Sequence, residues 1–265
     1  MQISKSRCVG CGNCVAVCPV SAISIGDDGR AVVNSDQCVE CYTCYRGLST
    51  ERLNPTLIRA IRRVLGWVRL RFDPEPDICP TSAIEPQELT WPRVVRRAFS
   101  DPLVSHEATG VHGRGTEEVK TNDVTGRVSV GECGMTVEFG RPGVSASFAD
   151  MDRVTRRLAG LGVHFEKKNP VTNLMSDVAT GAIREDLLGE RVLSAIVEIK
   201  VRTEQVPEVM KEVEAAAAES ETIISVGAAT RCGPEGEDDL GAMLQQHGYT
   251  AFRGKTNLGL GRRPA

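Results

Sequence analysis

No run of eighteen apolar residues occurs in the sequence, so no segment is long enough to cross a bilayer as a helix. Nor does an apolar signal segment precede the first cysteine motif: the chain reads Met-Gln-Ile-Ser-Lys-Ser-Arg-Cys from residue 1, which predicts a cytoplasmic protein. Long blocks of like charge are missing and the formal net charge is only -3, leaving nucleic-acid binding without an electrostatic footing. The sequence also lacks a G-x-G-x-x-G fingerprint, a P-loop and a nucleophile elbow. The four histidines, His106, His112, His164 and His247, show no H-x3-H spacing, so none is expected to bind metal.

What the chain does have is cysteine. Ten are present and seven fall within the first 44 residues. Without a secretion signal, thiols at two-residue spacings read as metal ligands rather than disulfides. The rest of the composition, 41% hydrophobic and 25% charged, is that of a soluble globular protein of one or two domains.

The first motif is Cys8-Val-Gly-Cys11-Gly-Asn-Cys14-Val-Ala-Val-Cys18-Pro19, a C-x2-C-x2-C-x3-C-P run. Three thiolates two residues apart wrap a tight loop around one face of an iron–sulfur cubane. Gly10 and Gly12 let backbone N–H groups approach the sulfides. In this pattern the fourth cysteine ligates the other cluster, so a second half must exist. It reads Cys38-Val-Glu-Cys41-Tyr-Thr-Cys44, and Cys79 completes it, since Cys18-Pro-Val-Ser-Ala-Ile repeats as Cys79-Pro-Thr-Ser-Ala-Ile. The expected groups are Cys8, Cys11, Cys14 and Cys79 for one [4Fe–4S] cluster, and Cys38, Cys41, Cys44 and Cys18 for the other. Zinc would call for C-x2-C pairs across a longer spacer.

These residues resemble the bacterial two-cluster ferredoxins over about residues 1–91. The resemblance implies two cubanes close enough for fast electron exchange. It departs from that family where residues 45–78 are inserted before Cys79. Pro55 to Leu70 carries an apolar stripe (Leu57, Ile58, Ile61, Val64, Leu65, Val68) opposite Arg59, Arg62, Arg63 and Arg69, which predicts an amphipathic helix opened by proline. Packing on the ferredoxin module, lying on a membrane surface and docking a partner all remain open for it. If the helix covers the cluster held in part by Cys79, the two potentials should differ.

Residues 92–123 read as a polar linker or functional loop. Within it His112, Arg114, Glu117, Glu118 and Lys120 are the candidate catalytic residues: glycines flank Arg114, and the others could position or protonate a substrate. Residues 124–230 then give strand (Arg127–Phe139), helix (Asp150–Leu161, with Asp150 as N-cap and Gly162 as stop), strand (Val163–Phe165), strand (Val192–Val201), helix (Val206–Glu219) and strand (Thr222–Ala228). The expected class is therefore α+β: a two-cluster ferredoxin module, a βαββαβ antiparallel sandwich, and a C-terminal helix and extended arm over 231–265. Cys133 and Cys232 stand apart from the motifs and read as ordinary thiols. The Gly-rich, basic end, with Phe252, Leu258 and Leu260, reads as an arm that wraps a partner subunit in an oligomer.

The expected function is electron delivery: single electrons from a reduced ferredoxin or flavoprotein pass through two clusters to a catalytic redox subunit. A self-contained reductase would normally need a flavin, nicotinamide or metal centre. Flavin on this chain or on a partner is the alternative, because the stretch Gly113 to Gly126 together with Gly140-Arg-Pro-Gly143 resembles iron–sulfur proteins known as 6-hydroxynicotinate reductases. That resemblance implies ferredoxin-dependent reduction of a heteroaromatic ring. A redox sensor or assembly factor is the third reading.

Overall fold

A computed structural model describes residues 1–46, 53–70, 78–112, 126–140, 144–232 and 235–250. The chain divides into two compact units, Met1–Val104 with Arg191–Leu193, and Ser105–Glu190 with Ser194–Ala265.

The first unit contains β1 (Gln2–Ile3), α1 (Asn13–Ala16), β2 (Ile23–Ile25), β3 (Ala31–Val33), α2 (Thr43–Arg46), α3 (Pro55–Trp67), β4 (Ile84–Glu85) and α4 (Val94–Ser100). Its strands form two antiparallel pairs, β1 with β4 and β2 with β3, in matching registers: Ile3 faces Ile84 as Val33 faces Ile23. Around these ribbons the buried cluster is Met1, Cys8, Cys14, Ile23, Ala31, Tyr42, Cys44, Cys79, Ala83 and Ile84. Thiols and alanines thus occupy most of a core that a domain of this size would normally fill with hydrocarbon.

Helix α3 starts where proline fits and is capped by Asn54, whose side chain accepts from Thr56 N (2.9 Å) and Leu57 N (3.3 Å). Helix α4 falls in the stretch expected as the start of the linker. Val95, Ala98 and Phe99 are buried at i, i+3 and i+4, which places α4 in the core of the first unit.

The second unit contains β5 (Glu132–Phe139), β6 (Ala146–Ser147), α5 (Phe148–Gly160), β7 (His164–Phe165), α6 (Pro170–Asn173), β8 (Met175–Asp177) and β9 (Ala182–Ile183). After β10 (Arg191–Val192), which groups with the first unit, it continues with β11 (Ala195–Arg202), α7 (Val206–Ala218), β12 (Ile224–Thr230) and α8 (Asp239–Gln246). Four strands pair antiparallel in the order β12-β5-β11-β7. Strand β5 sits inside this sheet, which explains its nearly continuous burial from Cys133 to Val137. Helices α5 and α7 pack against each other, with Arg157 bonded to Glu212 (3.3 Å) and Glu219 (2.7 Å). Phe148, Met151, Val154 and Leu158 of α5 and Val206, Val209, Val213 and Ala216 of α7 are buried.

One helix boundary differs from expectation. Ser147, not Asp150, caps α5: its hydroxyl accepts from Asp150 N (3.0 Å) while donating to the Asp150 carboxylate (2.8 Å). An acidic residue at the third helical position supports the cap and favours the helix dipole, so it mimics a cap in sequence.

Candidate metal centre

The two cysteine loops have the same backbone. Cys8 N donates to Ser4 O (2.9 Å) as Cys38 N donates to Asn34 O (3.0 Å), and Val15 N to Gly12 O (2.9 Å) as Tyr45 N to Tyr42 O (3.1 Å). The segments that return after each loop match as well. Ser21 and Ser82 both take positive φ, 53° and 50°. Ala22 N donates to Cys18 Sγ at 3.2 Å and Ala83 N to Cys79 Sγ at 3.1 Å. The sequence repeat is therefore a structural repeat, and the insertion before Cys79 leaves its last turn intact.

Cys8, Cys11, Cys14 and Cys79 line one cavity, closed by Ile3, Ala31, Ala83 and Ile84. Burial first, then the neighbouring charges of Cys11, Cys79, Cys8 and Cys44, push the Cys14 thiol up to about 12. Cys44 is likewise pushed up to about 12, by burial and then by Cys41, Cys38 and Cys18. Cys14 and Cys44 thus resist ionisation first because they are buried and then because other thiols crowd them. A cationic iron core removes that cost by neutralising the thiolates. Among the described residues, no three His, Cys, Asp or Glu side chains converge as a single ion would need. A cubane asks for something else, since each cysteine binds its own iron and the sulfurs line a cavity rather than meet at a point. The donor set fits a cluster.

Both loops need left-handed backbone at their third and fifth positions, and they obtain it differently. In the first loop Gly10 (φ 69°) and Gly12 (φ 83°) supply it without a Cβ. A Cβ on Gly10 would also sit 2.0 Å from Gly29 O. In the second loop the equivalents are Glu40 (φ 54°) and Tyr42 (φ 61°), at a cost of about 1–3 kcal/mol each.

Partners offset that cost. Glu40 is fully buried, and its carboxylate accepts from the Met1 amine (2.9 and 3.0 Å) and from Arg93 Nε (3.0 Å) and Nη2 (2.6 Å). Burial pushes this carboxyl up, but those cationic donors outweigh it and hold Glu40 below the usual carboxylate range. Tyr42 lies under Arg97, whose Cζ is 4.0 Å from the ring centroid, and meets Tyr45 edge-on at 5.8 Å.

Arginines also hold the loop carbonyls. Arg59 and Arg62 of α3 donate to Cys8 O (Nη2, 3.2 Å) and Gly10 O (3.1 Å), and Arg59 reaches Ser6 O as well. On the second loop, buried Arg96 donates through Nη1 to Cys38 O (2.8 Å), Asp36 O (2.9 Å) and Ser35 O (3.2 Å), and Arg46 donates to Cys41 O (3.2 Å). Sequence reading missed Glu40, Arg93 and Arg96. The available signal was a glutamate and a tyrosine at the positions where the first loop has glycines.

Helix α3 meets the first loop along the edge of its stripe. Ile58 is buried and Ile61 and Leu65 are half-buried beside the two docking arginines, whereas Leu57, Val64, Trp67, Val68 and Leu70 are exposed. Beside the second loop lies an open cleft lined by Tyr42, Tyr45, Arg46, Arg97, Pro86 and Leu103, among others.

His112 is exposed in the second unit, while Arg114, Glu117, Glu118 and Lys120 fall outside the described residues, as do Arg141-Pro-Gly143 and the arm from 251 to 265. Cys133 is fully buried on β5, its thiol pushed up to about 12 by burial, and Cys232 is exposed.

The N-terminal segment has recognisable relatives. Residues 1–24 match the 4Fe-4S binding domain. Over 36 residues the chain is 44% identical to a probable ferredoxin of Methanosarcina thermophila, and over 41 residues 44% identical to ferredoxin-1 of Rhodobacter capsulatus. Those stretches cover 14% and 16% of this chain and 62% of each ferredoxin. A 37-residue stretch, 14% of the chain, is 49% identical to one subunit of a Na(+)-translocating ferredoxin:NAD(+) oxidoreductase complex of Acetobacterium woodii, of which it covers 11%. The chain therefore spans less than two thirds of each of these relatives. No solved structure matches it. Among the described residues, no helix is long and apolar enough to cross a membrane.

Proposed function

We propose that this chain is an iron–sulfur electron-transfer protein that holds two [4Fe–4S] clusters and serves as the electron-delivery subunit of a larger oxidoreductase. Cys8, Cys11, Cys14 and Cys79 hold one cluster; Cys38, Cys41, Cys44 and Cys18 hold the other. The observation that carries the reading is the matched backbone of the two halves. It returns Cys79 to the first loop as Cys18 is returned to the second, with an alanine N–H on each returning sulfur. Bound there, the clusters supply one-electron chemistry. The chain's own residues bury them, donate N–H groups to sulfur and set the field around them.

The partner is a catalytic redox subunit, and the donor is a reduced ferredoxin or flavoprotein. The likeness to one component of an oxidoreductase complex supports a multi-subunit setting. So does the exposed apolar face of α3, because large exposed apolar patches mark interaction surfaces. The second unit, with its order strand, helix, strand, strand, helix, strand, is read as a βαββαβ sandwich that presents the cluster module to its partner.

Iron and sulfide analysis of the anaerobically purified chain tests the cluster reading. The expected content is eight irons per chain, falling by half in Cys79→Ser; a full iron content in that variant would overturn the ligand assignment. Cofactor analysis of the native complex tests the subunit reading. A flavin- or metal-bearing partner supports it, and a flavin-containing homo-oligomer of this chain overturns it in favour of a reductase.

A further inference from the structure

A strand at the rim of a sheet offers its backbone to any strand that can pair with it, and natural sheets blunt such rims with charge, proline, bulges or short length. In the four-stranded sheet of the second unit the rims are β7 and β12. Strand β7 has two residues, His164–Phe165, and is too short to take a partner. Strand β12 runs over Ile224–Thr230 and reads Ile-Ser-Val-Gly-Ala-Ala-Thr. It contains no charge and no proline, and its register against β5 passes from Ile224–Phe139 to Thr230–Cys133 without a bulge. Among the described residues no strand pairs its other side, so alternate residues of β12 direct N–H and C=O groups outward.

The apolar core also runs out to this rim. Ile224, Val226 and Ala228 stand beside Phe139, Val137 and Met135, which are fully buried. Yet Ile224 and Val226 are half-buried, Ala228 is exposed, and the preceding Ile223 is 47% exposed. The chain after β12 returns to α7, where the Tyr249 hydroxyl donates to Glu214 (3.1 Å).

We propose that β12 pairs antiparallel with β12 of a second copy of this chain, about a two-fold axis at Gly227, so that two four-stranded sheets join into one. The inference stands apart from the cluster reading. A copy is selected because the strand complements itself. Pairing about Gly227 sets Ile224 opposite Thr230, Ser225 opposite Ala229 and Val226 opposite Ala228, so no charges meet and the bulkier residue faces a smaller one each time. At the axis the two glycines bring no side chains to collide. Gly227 is fixed from within its own sheet, since a Cβ there would lie 2.7 Å from Thr136 Oγ1. Two-fold symmetry repeats every such contact, and the rims of both cores leave water together.

The test is sedimentation velocity of the intact, anaerobically purified chain over about 1–100 μM, where an interface of ordinary strength dissociates. The wild type should be a dimer at the upper end; a monomer throughout overturns the proposal. Ser225→Lys with Ala229→Lys opposes lysine to lysine twice across the axis and should weaken the dimer by at least about tenfold. Ser225→Lys with Ala229→Glu opposes unlike charges instead and should keep the dimer within about threefold of wild type. Within one strand positions 225 and 229 are roughly 13 Å apart, so the contrast between the variants reads the pairing across the axis. A dimer that withstands the double lysine, or that fails equally in both variants, overturns the pairing. Flavin in the dimer would overturn the electron-delivery reading and leave this one intact. Should a variant unfold, hydrogen exchange of the wild type decides. Amides of β12 should gain protection as concentration rises, while those of β5, already paired on both sides, should not. Protection of β12 that ignores concentration overturns the proposal.

Discussion

Cys8, Cys14, Cys44 and Cys79 occupy in the first unit the place that Met135, Val137, Phe139, Phe148, Met151 and Leu158 occupy in the second. The centre of the second unit is filled by large hydrocarbon side chains. Each of those side chains contributes roughly 1.5–3 kcal/mol by leaving water, and the sheet registers set Met135, Val137 and Phe139 of β5 beside Ile199, Val197 and Ala195 of β11 and Ala228, Val226 and Ile224 of β12. The first unit buries only four large side chains, Met1, Ile23, Tyr42 and Ile84, in its central cluster. The rest of that cluster is alanine and cysteine, and two of its thiols, Cys14 and Cys44, are costly to ionise. The difference teaches where a bound group can matter to folding: the unit whose central cluster is mostly cysteine and alanine has more to gain from one than the unit whose centre is filled by large side chains.

The largest expected effect follows directly. Removing iron with a chelator under reducing conditions should abolish hydrogen-exchange protection at Ile23, Ala31 and Ile84 while leaving β5 and β11 protected, as expected for folding coupled to metal. Protection that persists in the first unit would remove the contrast. Next, Phe139→Ala should destabilise the second unit by about 3–5 kcal/mol and leave the iron content of purified chain unchanged. Thermal melts with iron analysis check both halves of that statement.

A smaller effect separates the two glycines of the first loop. Gly10→Ala should lose the adjacent cluster because the new methyl meets Gly29 O, whereas Gly12→Ala meets no atom within 4 Å and should cost only about 1–2 kcal/mol of left-handed strain. Iron retention in the two variants ranks them. The smallest effect is on pH. In the second unit burial pushes Glu166 up, but Lys168 N and the Arg127 guanidinium outweigh it and hold the carboxyl below its usual range. Its contribution is therefore present above pH ~4.3, the ordinary glutamate value, and is lost as pH falls through the lower folded value. Glu166→Gln should flatten the acid limb of the unit's stability curve.

The cysteine spacing and the repeat after Cys18 and Cys79 were legible because local chemistry fixes them: thiols two residues apart and a Pro-x-Ser-Ala turn have few other uses. In the second unit the two long helices, Phe148–Gly160 and Val206–Ala218, were legible from periodicity, whereas the two- to four-residue elements β6, α6, β8 and β9 are too short to carry a period and were not. The buried Glu40–Arg93 pair and the Arg96 fork were not, since their partners lie more than fifty positions away in sequence. The stripe of α3 was visible as a stripe, but not which edge of it would be covered. That edge is chosen by carbonyls of the first loop that accept from Arg59 and Arg62, and a hydrophobic pattern does not record carbonyls. The cap of α5 was misplaced by three residues because Asp150 has the chemistry of both a cap and its supporter.

The left-handed turns of the two loops differ in portability. Gly10 and Gly12 carry their own permission, so that stretch of chain can take its shape wherever it is placed with room for Gly29. Glu40 and Tyr42 borrow theirs from Arg93, Arg97 and the amino end. A segment cut at residue 46 would keep every cysteine of the second loop and lose the helix that lets it turn.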